Sequence, residues 1–154
     1  MRDYAVEAQG ACSRSISLDK KVIKMLTELK ILLTYCLLIV LMLIVQSVLA
    51  VRQHGVKSLV GSRDGIEFSG IADRAIRAFN NTLISMVLIM PPVFTLALIA
   101  VSTTESVTAL VVFVIARVFY FCTYLLGISW VRSCLWWVGL LCTIYLYLMC
   151  LDYF

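Results

Sequence analysis

Charge is scarce in this chain of 154 residues: Asp, Glu, Lys and Arg together make up 14% of it, against roughly 25% in a soluble domain. With 62% hydrophobic residues and a mean hydropathy of +1.00, too little polar surface remains to face water. Histidine occurs once, at His54, and no Cys-x-x-Cys pair is present. A structural zinc site needs clustered deprotonated ligands, so no metal centre is expected. A glycine-rich phosphate loop is missing, and so is a catalytic triad; Ser62 and Asp64 are loop residues with no base beside them. Cys36, Cys122, Cys134, Cys142 and Cys150 lie in or beside apolar runs and read as small buried hydrophobes. Only Cys12 sits in a polar segment. The net charge of +4 does not point to nucleic acid, because the basic residues flank apolar runs as membrane anchors do.

What is present is apolar run after apolar run. Residues 1–30 form a polar tail whose last part, Asp19 to Lys30, can form a short helix at the membrane interface. Ile31 to Val51 carries no charge and is long enough to cross ~30 Å of hydrocarbon at ~1.5 Å per residue. Its end, Val48-Leu49-Ala50, has the look of a signal-peptidase site, but the run is too long and the preceding tail too extended for a cleaved signal. Arg52 to Gly70 reads as a hydrophilic loop punctuated by glycines. The expected spans are 31–51, 71–101, 106–126 and 133–151. Pro91-Pro92 in the second predicts a kink, which lipid tolerates only where neighbours satisfy the freed carbonyls. Ser102 to Glu105 is a tight turn with capping residues, and Gly127 to Arg132 is a second connection. The fold expected is an all-α membrane protein, a four-helix transmembrane bundle. Lys and Arg divide evenly between the two sides, so charge bias does not orient it. Trp130, Trp136 and Trp137 near one end of the last span and Tyr145, Tyr147 and Tyr153 near the other resemble interfacial aromatic belts.

One charge stands out. Arg117 falls mid-span, where an arginine costs ~2.5–3.5 kcal/mol even on the lenient insertion scale. Apart from Asp73 in the first turn of the second, no Asp or Glu lies inside the four expected spans to pair with it. Counting ~1.5 Å per residue from the helix ends places Asn81 and Arg117 at the same depth. Arg74, Arg77 and Asn81 share a helical face, as do Arg117 and Tyr124, with Tyr120 one turn along. Arg132 and Ser133 lie nearer the same mouth. The resulting funnel of arginines, an amide and phenols suits a ligand that carries carboxylates. Each residue also has a plainer reading. Arg74, Arg77 and Arg132 can be snorkelling anchors, Asn81 a helix–helix hydrogen bond, the tyrosines packing, and Ser133 the N-cap of the fourth helix. Arg117 has no comparably plain reading.

These residues resemble the MAPEG family (membrane-associated proteins in eicosanoid and glutathione metabolism), and most closely its small bacterial members. Arg74-Ala75-Ile76-Arg77-Ala78-Phe79-Asn80-Asn81 is similar to the family's RAxRAxxN motif. Ser62-Arg63-Asp64 resembles a loop motif upstream, and Ala116-Arg117 with Tyr124 resembles the third-helix stretch. Gly127-Ile128 with Val131-Arg132-Ser133 resembles the start of helix four. The likeness runs from about Ile31 to Leu151. It implies a homotrimer in membrane lipid with glutathione, as co-substrate, held between subunits. Carried over by position, Arg74, Arg77, Asn81, Arg117, Tyr124 and Ser133 would bind glutathione. Arg132 would be catalytic, holding the sulfur as thiolate. The second substrate would be apolar: an electrophile or a lipid hydroperoxide. One position departs from the pattern. Ile84 stands where the family has a glutamate. That favours an alternative: a non-catalytic MAPEG-like protein that binds a lipid or another membrane protein. A small multidrug transporter of four spans needs an intramembrane carboxylate, and none is expected here. The location implied is an integral, multi-pass one, in the inner (cytoplasmic) membrane if the source is bacterial.

Overall fold

The computed structural model describes the backbone of residues 2–60 and 67–154, and the side chains of 27–57, 60 and 67–154. Ser62-Arg63-Asp64 and the Cys12 side chain lie outside the described residues. Four helices follow one another: α1 (Arg2–Val60), α2 (Gly70–Leu98), α3 (Thr104–Leu126) and α4 (Ser129–Leu151). No strand occurs among the described residues. Each helix contains a stretch long and apolar enough to cross a bilayer, and the protein is an all-α, multi-pass membrane bundle. α2 and α3 form the central pair; α1 packs on both, and α4 packs on both from the other side.

The buried faces follow the alternating three- and four-residue step of a helical stripe. On α2 the stripe is Ala75, Phe79, Thr82, Met86, Ile89, Val93 and Leu96. On α3 it is Ser106, Leu110, Phe113, Arg117, Tyr120 and Tyr124, so the arginine sits on the core face. On α4 it is Gly139, Thr143, Leu146 and Cys150. The opposite faces present Leu37, Val87, Ile115 and Leu141 outward, as a surface solvated by lipid tails requires.

Several local expectations change. Asp19 to Lys30 is not a separate interfacial helix but the upstream part of α1. The loop expected from Arg52 begins later, because α1 continues to Val60 through one non-helical residue, Gly55 at φ 76° and ψ 163°, a backbone region essentially confined to glycine. Gln53 ties this end to the start of α2, donating from Nε2 to Ser69 Oγ at 2.7 Å. α2 continues through Pro91-Pro92 to Leu98, and Cys150 Sγ of α4 donates to the Pro92 carbonyl at 3.3 Å. Thr103 caps α3 in a reciprocal capping box with Ser106. Gly127 closes α3 at φ 80°, leaving only Ile128 before α4. Ser133 is therefore not the N-cap: it lies one turn inside α4 and donates to the Ser129 carbonyl at 3.1 Å.

The other end of the bundle holds a group placed in the tail by sequence alone. Glu28 is buried on α1, four residues before buried Leu32 and on the same stripe as Tyr35, Ile39 and Met42. Its Oε1 accepts from Ser102 Oγ at 3.0 Å and from Ser106 Oγ in a shorter bond. The carboxylate thus locks α1 to the α2–α3 turn at the N-terminus of α3, where the helix dipole favours negative charge. Glu28→Ala removes the carboxylate that accepts from Ser102 and Ser106, leaving Ser106 only the Thr103 carbonyl at 3.0 Å, and should destabilise the protein by about 1–3 kcal/mol. Amide exchange in the Ser102–Ser106 turn should rise well above exchange mid-helix, which hydrogen-exchange mass spectrometry in micelles reads directly.

Candidate functional site

The polar residues of α2, α3 and α4 meet at the end opposite Glu28. Asn81 Nδ2 donates to the Tyr120 hydroxyl at 3.0 Å, joining α2 to α3. Because that oxygen accepts from Asn81, the tyrosine's own proton is left to donate elsewhere. Tyr120 packs edge-on against Tyr124, with ring centroids 5.4 Å apart. Arg132 of α4 lays its guanidinium over the Tyr124 ring, 4.4 Å from the centroid. That position gives cation–π attraction. Asn81, Tyr120, Tyr124, Arg132, Ser133, Trp136 and Trp137 together line an open cavity of about 260 Å³.

The expected residues divide into two groups. Asn81, Tyr124, Arg132 and Ser133 line the cavity. Arg74, Arg77 and Arg117 are not among its lining residues. Arg77 is 58% exposed and bonds Asp73 one turn back at 2.5 Å. Arg74 reaches the α3–α4 turn: a Cβ added at Gly127 would lie 3.1 Å from its Nη1. A guanidinium there faces the carbonyl end of α3, which attracts cations. Its Nε makes no hydrogen bond.

Arg117 is buried at 3% exposure, inside the bundle rather than toward lipid. Its guanidinium packs over Phe113 at 5.2 Å and Tyr120 at 5.7 Å. It abuts Gly139 of α4, where an added Cβ would come within 2.9 Å of Nη2. Nε and Nη1 make no hydrogen bond. The depth count sets Asn81 level with Arg117, but the hydrogen bond of Asn81 goes to Tyr120, one turn along α3, and Arg117 packs over that ring from within the core. Phe113 also packs edge-on against Tyr35 of α1 at 5.2 Å, and Tyr35 donates to the Thr82 carbonyl at 3.2 Å. The cation is therefore walled in by rings from two helices.

Tyr120, placed by the sequence one turn beyond Arg117, lines the cavity. Sequence reasoning missed three contributors. Trp136 and Trp137 were read only as belt residues, although they follow Arg132 by one turn on the same helix. Gly139 was not singled out, yet it lies as far beyond the α3–α4 turn as Arg117 lies before it. A helical hairpin brings such positions level. A larger cavity of about 380 Å³ lies elsewhere, between the far half of α1 and the start of α2. It is lined mainly by apolar residues, including Ala50, Val56, Phe68 and Ile76. Among the described residues no three His, Cys, Asp or Glu side chains gather as metal ligands.

A four-span bundle with an amide, two phenols and a stacked guanidinium facing one cavity defines a polytopic membrane protein with a polar site set against lipid-facing helices. The MAPEG family model matches residues 32–152, and the chain belongs to the MAPEG family. Membership carries a membrane-associated role in glutathione- or eicosanoid-related chemistry; the family generally uses glutathione and forms trimers in membranes. No curated protein and no solved structure matches the chain.

Proposed function

We propose that this protein is a membrane-bound glutathione-dependent transferase or peroxidase acting on apolar electrophiles or lipid hydroperoxides. The observation that carries the reading is Arg132, the one charge on α4, stacked on Tyr124 at the wall of the polar cavity. A cation fixed there lowers the pKa of a thiol bound beside it, and the thiolate is the nucleophile. Asn81, Tyr124 and Ser133 contact the tripeptide in this reading, and the Tyr120 hydroxyl donates to the sulfur or to a leaving oxygen. Arg74 and Arg117 contribute positive potential from beyond the lining. Arg77 engages a carboxylate once it releases Asp73. A homotrimer, in which an adjacent subunit closes the open side of the cavity, completes the site.

The chemistry needs little more. On binding, the thiol proton passes to water and Arg132 balances the sulfur's charge. The sulfur then attacks an electrophilic carbon, or the terminal oxygen of a hydroperoxide, and the leaving group departs with the bonding pair. Lipid around α4 supplies apolar substrates at high local concentration. In calorimetric titration of the detergent-purified protein, glutathione should bind at millimolar concentration or below. Asn81→Ala should weaken it about tenfold, the effect of one hydrogen bond to a charged ligand plus a displaced Tyr120. Wild-type protein that takes up no glutathione at millimolar concentration contradicts the proposal.

Ile84 favours a second reading. It lies one turn beyond Asn81 and is exposed on α2, at the position where the family pattern has a glutamate. A non-catalytic member that binds a lipid or another membrane protein would have no need of that carboxylate. This reading expects a lipid or protein to co-purify and glutathione to leave calorimetric heats unchanged.

A further inference from the structure

We infer, resting on the glutathione reading above, that the polar cavity selects acidic thiols that carry no ammonium group. Glutathione is then held by its carboxylates and sulfur, and its amino end goes unmatched. Among the described residues the cavity lining holds one charged side chain, Arg132, set among amide, hydroxyl and indole groups. No carboxylate stands with them.

The fold keeps acids away from this depth. Glu28, Glu67, Asp73, Glu105 and Asp152 are the acidic side chains among the described residues. Glu28 accepts from Ser106 at the opposite end of the bundle. Glu105 lies in the first turn of α3 and Asp152 follows the end of α4, both at that same far end. Glu67 is exposed ahead of α2. Asp73 is bonded to Arg77 at 2.5 Å and lies eight residues before Asn81, so ~12 Å nearer the mouth. Copies related by rotation about the membrane normal bring the same acids to the same depths. A neighbouring subunit that closes the open side therefore adds no described carboxylate beside Arg132.

Charge complementarity then favours one kind of ligand. A carboxylate or thiolate in the cavity meets a guanidinium and hydrogen-bond donors. An ammonium meets a like charge, gives up hydration and finds no acid in return. Such like-charge juxtaposition is a common source of selectivity. An indole or phenol face can hold a cation, but Arg132 already covers the Tyr124 ring. Trp136 follows Arg132 by one turn of α4, so a second cation there would sit in the field of the first. α2 offers no relief, since Ile84, one turn beyond Asn81, is apolar and 59% exposed.

The test compares reduced glutathione with its des-amino analogue, N-glutaryl-cysteinylglycine, by calorimetry of the full-length protein in detergent at neutral pH. Both keep the carboxylates and the thiol, and only the ammonium differs. The analogue should bind about tenfold more tightly. Ile84→Glu, which sets a carboxylate one turn beyond Asn81, should narrow that preference about fivefold. Ile84→Gln, of the same length without the charge, should leave it unchanged, as should Asp73→Asn. An analogue that binds no better than glutathione overturns the inference while the glutathione reading stands; so does a preference for glutathione that Asp73→Asn abolishes. Wild type that binds the analogue but not glutathione supports the inference and overturns glutathione as the thiol. Wild type that binds neither removes the underlying reading, and this inference with it.

Discussion

Arg132→Ala should cut glutathione-dependent turnover by about a hundredfold, the usual cost of removing one preorganised electrostatic partner from a reacting atom. The side chain stands on a helix with no other charge and is fixed in direction by the Tyr124 ring. Among the described residues nothing else on the cavity wall carries a positive charge. Without it, bound thiol would ionise near the ordinary thiol pKa of ~8.5. The sign follows from which state the cation favours. A cation stabilises thiolate, so wild type keeps its activity to lower pH, and the acid limb of kcat/KM moves upward in the variant. Arg132→Lys should fall between the two, since a point charge restores the sign but not the planar fork of hydrogen-bond donors. Steady-state rates across pH in detergent check all three proteins. Equal limbs in wild type and Arg132→Ala would separate the residue from the sulfur.

The largest effect on stability is expected from the smallest residue in α4's buried stripe. Gly139→Val should destabilise the bundle by about 3 kcal/mol or more, the upper range of core overpacking. The reason is what faces it. A Cβ at this position would lie 2.9 Å from Arg117 Nη2, 3.0 Å from Nε and 3.1 Å from Cζ. An apolar side chain pressed so hard would rotate aside at modest cost. A buried guanidinium held between Phe113 and Tyr120 has no polar refuge in the core, and Nε and Nη1 already lack partners. Arg117→Met removes the uncompensated charge and should by itself raise the unfolding midpoint, as apolar replacement of buried ions often does. Combined with Gly139→Val it should recover most of the loss, giving a coupling of about 1–3 kcal/mol in a double-mutant cycle. Unfolding in mixed micelles supplies the four values. Additive effects would mean that the two residues do not press on one another.

Much of the architecture was legible because membrane spans advertise themselves. Apolar length fixed the number of helices, and the Thr103–Ser106 cap and Gly127 marked the turn of each α2–α3 and α3–α4 hairpin. The stripe from Ser106 through Arg117 to Tyr124 was present as spacing. The first helix was the harder element. Charge before Ile31 read as tail, whereas Glu28 falls on the core stripe and finds hydroxyl partners only through the fold. Residues 52–60 are polar enough for a loop, yet only Gly55 departs from helix. Depth counting set Asn81 against Arg117, but a count along the axis starts from helix ends uncertain by one or two residues and omits the reach and direction of side chains, which bring Asn81 to Tyr120. It also could not separate Arg132, which lines the cavity, from Arg74, Arg77 and Arg117, which do not. Gly139 gave the least warning, since an absent side chain announces nothing until its neighbour is known.

The central claim is that the cavity beside Arg132 holds a thiol as its anion. Ultraviolet difference absorbance of the protein titrated with glutathione at neutral pH, in wild type and in Arg132→Ala, addresses it most directly. The account predicts a saturable thiolate band in wild type that is lost in the variant. Absence of the band at saturating glutathione, or a band of equal size in both proteins, would contradict it.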